Sequence, residues 1–101
     1  MGADSNVDKL ELIIQAAREN QVSALDYIVE KFQLDLAVLN DLNAKSENPL
    51  IVASMKGNYE AAMWLLNHGA DKGVKDRFRK TALDWAEANG HQKIVQLLSE
   101  A

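Results

Sequence analysis

The stretch that decides the fold is "NPLIVASMKGNYEAAMWLLNHG", residues 48–69, because a related stretch follows it at a constant spacing. Laid over "TALDWAEANGHQKIVQLLSEA", residues 81–101, it matches without a gap. The matched positions hold small or apolar residues and lie 33 residues before their counterparts; they are Pro49, Leu50, Ala53, Gly57 and Leu65. A fixed period of this size indicates a protein built from repeated supersecondary units.

A third, weaker copy precedes these two. Four of its residues align with residues 50–57 at an offset of 37; they are Ile13, Ala16, Ala17 and Asn20. The offset exceeds the period by four residues, which places an insertion of four most easily within residues 31–42. The chain therefore contains three units, of which the first is irregular.

Each unit is predicted to hold two short helices. In the second unit Asn48 is the N-cap residue and Pro49 takes the first helical position, where its missing N–H group costs nothing. Gly57 ends this helix, since glycine adopts positive φ without a Cβ clash. A second helix is predicted over about residues 59–67, with Ala62, Leu65 and Leu66 on its inward side.

The third unit follows the same plan. Thr81 is the predicted N-cap and Gly90 the stop of its first helix. The buried face of its second helix is predicted to hold Ile94, Val95, Leu97 and Leu98. Between the second and third units, "GADKGVKDRFRK" (residues 69–80) has no helical period and is predicted to be an extended connection that contains turns.

These residues resemble the ankyrin repeat, whose 33-residue unit has the motif T-P-L-H-x-A. The motif occurs here as "NPLIVA" (48–53) and "TALDWA" (81–86), followed by a glycine turn and a Val/Leu-rich helix in "GHQKIVQLL" (90–98). The sequence departs from the motif where Ile51 and Asp84 replace its histidine, so the hydrogen bond of that histidine is not expected.

The resemblance implies an all-α solenoid of helix-turn-helix units joined by β-turn or hairpin loops. The expected division is an N-terminal tail over residues 1–7, a degenerate N-capping repeat over 8–42, a second repeat over 43–75 and a C-capping repeat over 76–101. Terminal repeats are commonly atypical, because one of their faces meets water instead of a neighbouring repeat.

The charge is unevenly distributed. The net charge is −4, yet residues 72–80 hold five basic groups and one acidic group. An acidic body with one basic projection does not favour nucleic-acid binding, which normally uses a broad basic face. The chain has no cysteine and no run long enough to span a membrane, so we expect a protein of the cytoplasm or nucleus without a membrane anchor.

No pattern in the sequence predicts an enzyme. His68 and His91 stand in separate turns without the spacing of a metal site, and structural hydrogen bonds are the simpler interpretation of both. No glycine-rich phosphate loop or activated nucleophile is present. Trp64 and Trp85 fall in helical apolar patterns and are predicted to pack in the core. We therefore expect no catalysis, cofactor, metal or small-molecule substrate.

The resemblance implies instead a module that binds another protein through its turn tips and the concave face of its first helices. The candidate partner-binding residues are Lys45, Glu47, Met55, Lys56, Arg77, Phe78, Arg79, Lys80, Ala88 and Asn89. Met55 suits varied partners, although an isolated exposed methionine is also common. The expected molecule is a monomer that acts as an adaptor, inhibitor or scaffold.

The tip "RFRK", residues 77–80, allows three interpretations. An exposed Phe78 between arginines would bind a partner segment with acidic and aromatic residues. Alternatively, Phe78 folds back under the turn and the arginines stay hydrated. The third possibility is a chromatin-associated or nucleic-acid-associated factor that uses the basic tip.

Overall fold

The computed structural model describes residues 6–100, with side chains from residue 8 onward. Residues 1–5 of the expected N-terminal tail lie outside the described residues. The described part of the chain is all-helical and contains no strand; its elements are α1 (Asn6–Arg18), α2 (Val22–Phe32), a 3₁₀ turn (Leu36–Asn40), α3 (Pro49–Lys56), α4 (Tyr59–Asn67), α5 (Ala82–Ala88) and α6 (Gln92–Glu100). None of these helices has the length and apolar character needed to cross a bilayer.

The helices form three pairs that stack side by side. The first helices make one row, in which α3 packs against α1 on one side and α5 on the other. The second helices make the other row, with α4 between α2 and α6. The main contacts of each pair are with its neighbouring pairs, as expected for a solenoid, and the predicted all-α fold is confirmed.

Local capping fixes where the first helices begin. The Oδ1 of Asn48 accepts hydrogen bonds from the N–H groups of Leu50 and Ile51, at 3.0 and 3.3 Å. Thr81 forms a capping box with Asp84, in which each side chain accepts from the other residue's N–H group. Asp84, which stands where the ankyrin motif has histidine, thus serves its own helix.

The first helices end at residues with positive φ. Gly57 and Gly90 have φ values of 79° and 74°, as predicted for helix stops. In the first unit Asn20 takes this place with φ 56°. Asparagine can do so because its short polar side chain tolerates the left-handed region better than other side chains. The degenerate repeat therefore keeps the same turn without a glycine.

The core runs through all three units. Its largest fully buried apolar side chains are Ile13, Ile14, Leu25, Leu39, Leu50, Leu65, Ile94 and Leu98. Ala62 and Leu65 are buried as predicted, whereas Leu66, Val95 and Leu97 are only partly buried. A second helix in a two-row stack has solvent along its outer side, so its apolar face is narrower than the sequence pattern suggested.

The segment predicted to hold the insertion contains the 3₁₀ turn. Val38 and Leu39 of this turn are buried against the core. The amide of the buried Asn48 donates to the carbonyl oxygens of Leu39 and Asp41, at 2.9 and 3.1 Å. Asn48 thus caps α3 and also ties the extra residues to the second unit.

Each pair is joined to the pair before it by a side chain that donates to the end of a first helix. The amide of Asn58 donates to the carbonyl oxygens of Ala17 and Arg18, both at 2.8 Å. Thirty-three residues later, Nε2 of His91 donates to the carbonyl oxygen of Met55 at 3.1 Å. The structural role predicted for His91 is confirmed, and it is a role in repeat-to-repeat docking.

Candidate functional site

Two turns of the same construction project from the helix pairs; residues 43–47 form tip 1 and residues 76–80 form tip 2. Asn43 begins tip 1 and Asp76 begins tip 2. In each, the side-chain Oδ1 accepts from the backbone N–H groups two and four residues further on, at 2.8–3.0 Å. The turn shape is therefore set by one side chain at the same register position in both repeats.

The two tips are also joined to each other. Ser46 and Arg79 hold equivalent positions with φ values of 62° and 63°, a region in which glycine costs least. The hydroxyl oxygen of Ser46 accepts from the backbone N–H of Arg77 at 2.8 Å. This bond holds neighbouring tips side by side, so the surface between them is preformed.

A groove of about 290 Å³ lies between the two tips and the first helices. Its apolar surfaces come from Ile51, Val52, Met55, Phe78 and Trp85, and its polar lining comes from Arg18, Lys45, Ser46, Glu47, Lys56 and Asp76. Ile51 and Val52 are buried, whereas Met55 is half-buried. The groove thus has an apolar floor and a charged rim.

Two aromatic side chains line the groove on the side of tip 2. Phe78 is 61% exposed, so the interpretation in which it folds back under the turn does not hold. The guanidinium carbon of Arg77 lies 5.3 Å from the centre of the Phe78 ring. Trp85 is partly buried, and its indole N–H donates to Oδ2 of Asp76 at 2.8 Å. Trp85 is therefore fixed in orientation, while Phe78 offers open apolar surface.

The two carboxylates of the groove are already engaged. Glu47 accepts from Arg18 at 2.9 Å and from the Asn43 amide at 2.9 Å. The hydrogen bond from Asn43, assisted by the charge of Arg18, outweighs partial burial and lowers the pKa of Glu47 below its usual value. Partial burial opposes the ionised form of Asp76, but hydrogen bonds from the Lys80 backbone and the Trp85 indole outweigh it and lower its pKa.

The rim also has two lysines that form no salt bridge within the described residues, although the charge of Lys45 helps to lower the pKa of Glu47. Arg18 is paired with Glu47 at 2.9 Å. Lys45 in tip 1 and Lys56 at the end of α3 both line the groove, and both are exposed. The charges that the groove can offer to an incoming molecule are therefore positive.

The structure places five of the ten candidate partner-binding residues in the groove. The groove is lined by Lys45, Glu47, Met55, Lys56 and Phe78. The other members lie outside it: Arg77, Arg79 and Lys80 are exposed on tip 2, and Ala88 and Asn89 are exposed at the end of α5. Asn89 has a structural bond, since its amide donates to the carbonyl oxygen of Met55 at 3.0 Å.

Sequence reasoning did not place Ile51, Val52, Asp76 or Trp85 in a binding surface, although all of them line the groove. The core prediction is right for Trp64, which is 7% exposed, and only partly right for Trp85. The 33-residue period contained a usable signal, because Trp85 repeats the position of Val52 and both face the same side of the stack.

The remaining histidine has a local role. Nδ1 of His68, at the end of α4, donates to the carbonyl oxygen of Trp64 at 2.7 Å, and the two rings stack with centroids 3.7 Å apart. Over the described part of the chain, no three potential metal-ligating side chains cluster closely enough to hold an ion.

Comparison with known families supports the repeat pattern. A family model for ankyrin repeats matches three copies over residues 12–101. The chain belongs to the ankyrin-repeat family. Ankyrin repeats are typical of protein-interaction modules and are generally not catalytic themselves.

Among curated proteins, this ankyrin-repeat chain is 31% identical over 94 residues to the serine/threonine-protein kinase VIK of Arabidopsis thaliana. The match covers 93% of the chain and 21% of the kinase. It is 29% identical over 96 residues to human NAD-capped RNA hydrolase NUDT12, covering 92% of the chain and 20% of the hydrolase. The chain thus spans about a fifth of the length of these relatives.

Among solved structures, the ankyrin-repeat chain is similar to a chain in the complex of the Bd0816 predatory endopeptidase from Bdellovibrio bacteriovorus with the immunity protein Bd3460. The TM-score is 0.79 at 24% sequence identity, and the match covers 89% of this chain and 45% of the other. A likeness at this identity shows a common fold.

Proposed function

We propose that this ankyrin-repeat chain is a non-catalytic adaptor, inhibitor or scaffold that binds a partner protein through its tips and the concave face of its first helices. The observation that supports this most is the groove between tips 1 and 2. Residues from both tips and from α3 meet there around an apolar floor. A recess that spans two repeats suits a partner segment that crosses the stack.

The aromatic wall of the groove supports the same function. A phenylalanine that is 61% exposed keeps apolar surface in water, and burying it in an interface recovers that free energy. Phenylalanine, methionine and arginine are all enriched in protein–protein interfaces relative to the rest of the surface. The nearby Trp85 is fixed by its bond to Asp76, so little side-chain entropy is lost when a partner covers it.

A capture experiment with a matched control tests this proposal. The variant Met55→Ala/Phe78→Ala should lose partner proteins that the wild-type chain captures from a native lysate, while its thermal midpoint changes little. The control is Tyr27→Ala on α2, because Tyr27 is 62% exposed, almost the same as Phe78. Equal capture by wild type and the groove variant, or loss only in the Tyr27 variant, would contradict the proposal.

A nucleic-acid-associated or chromatin-associated factor is the second candidate. Arg77, Arg79 and Lys80 are all exposed on one tip, which favours contact with phosphate groups. The net charge of −4 opposes it. Binding of the chain to duplex DNA that weakens steeply with salt, and that is lost in Arg79→Ala/Lys80→Ala, would support this candidate. Absence of such binding would remove it.

A further inference from the structure

The groove also indicates the chemistry of what it binds, an inference that rests on the proposed function. Its two carboxylates are satisfied within the molecule: Glu47 by Arg18 and Asn43, and Asp76 by the Trp85 indole and the backbone of its own tip. A ligand cation would have to compete with these bonds. It would also approach Lys45 and Lys56, whose charge repels it.

The aromatic residues do not form a cation site either. One face of the Phe78 ring is already occupied by the Arg77 guanidinium, 5.3 Å from the ring centre. A second cation on that face would meet like charge. The ring edge and open face remain available to an apolar side chain, next to Met55 and Trp85. The pocket therefore favours an uncharged aliphatic or aromatic group over a lysine or methylated lysine.

The two rim lysines belong to different elements. Lys45 lies in tip 1, four residues before α3 begins, and Lys56 is the last residue of α3. Because both line the groove, a segment that follows α3 from tip 1 passes both charges.

We propose that the groove binds an extended acidic segment of a partner protein, with one apolar side chain seated between Met55, Phe78 and Trp85 and carboxylates that pair with Lys45 and Lys56. Charge complementarity with the two lysines selects this occupant. The main chain of the segment lies along α3, from tip 1 towards the end of that helix.

Random-peptide display on the full chain tests the proposal, followed by affinity measurements on the selected peptides. Enriched peptides should share an apolar residue with Asp or Glu on both sides of it. Lys45→Glu and Lys56→Glu should each weaken binding about five- to tenfold, and added salt should weaken binding to the wild-type chain. Lys31→Glu, the same charge reversal on α2, should leave affinity unchanged.

The outcomes distinguish a failure of the acidic specificity from a failure of the proposed function. Selected peptides that depend on Met55 and Phe78 but lack acidic residues, or that bind Lys45→Glu and Lys56→Glu as tightly as wild type, would overturn the acidic specificity and leave the interaction module standing. Peptides insensitive to Met55→Ala/Phe78→Ala would overturn both. Binding to duplex DNA in place of any peptide would also overturn both and favour the nucleic-acid candidate.

Discussion

At the scale of single residues, Gly57 has two separate reasons to be glycine. Its φ of 79° is unfavourable for residues that carry a Cβ atom. A Cβ atom at this position would also lie 2.7 Å from the His91 ring. Gly90 holds the equivalent position one repeat later with φ 74°, but a Cβ atom there would meet nothing within 4 Å. Substitutions at the two glycines can therefore be compared to distinguish the effect of backbone conformation on stability from the effect of repeat docking.

We predict that Gly57→Ala lowers the free energy of unfolding more than Gly90→Ala does. Both variants should lose about 1–2 kcal/mol for the left-handed conformation. Gly57→Ala should lose about 1–3 kcal/mol more, because His91 is pushed away from the carbonyl oxygen of Met55. Urea unfolding measures both. In a His91→Ala background the excess should vanish, whereas equal losses in the wild-type background would contradict this contact.

At the scale of an element, tip 2 depends on one carboxylate. Asp76 accepts from two backbone N–H groups of its own tip and from the Trp85 indole. Asn43 makes the same backbone bonds in tip 1, which shows that a neutral amide can hold the turn. The charge of Asp76 and its bond to Trp85 are thus what distinguish tip 2.

We predict that Asp76→Asn lowers the free energy of unfolding at pH 7 by about 1 kcal/mol. The amide oxygen keeps the backbone bonds of the tip, so the indole N–H of Trp85 then faces the NH2 group, which cannot accept a hydrogen bond. The lowered pKa of Asp76 means that its contribution is fully present above the unfolded-state pKa of about 3.9 and is lost as pH falls through the folded-state value. Urea unfolding at pH 7, 5 and 3 should show wild type and variant converging in acid. Parallel stability curves would contradict this origin of the effect.

Local rules let the sequence predict most of the helix ends. The bounds of α3 and α4 agree with the predictions because capping by Asn48 and the turn at Gly57 depend on a few neighbouring residues. The half-burial of Trp85 could not be predicted, since the helical period shows that a side chain faces another helix but not where the contact surface ends. Contacts between distant residues, such as Arg18 with Glu47, needed the three-dimensional structure.

At the scale of the whole molecule, the groove exists only because repeats stack. Each tip is a simple turn, and neither tip alone encloses apolar surface. When Asn58 and His91 fix successive pairs at one spacing, the two tips and the first helices come together around Met55 and Trp85. The candidate binding surface is therefore a property of the junction between repeats, and any change that loosens that junction should weaken it.

The two tryptophans provide the most direct measurement of where a partner docks. Trp85 lines the groove, whereas Trp64 is buried and donates its indole N–H to Asp26 on α2, at 2.8 Å. In ¹H–¹⁵N spectra of the full chain titrated with a selected peptide, the Trp85 indole resonance should shift to saturation while the Trp64 resonance stays in place; Trp85→Phe assigns the signals. A shift of Trp64 with Trp85 unmoved, or no indole shift in the saturated complex, would contradict docking in the groove.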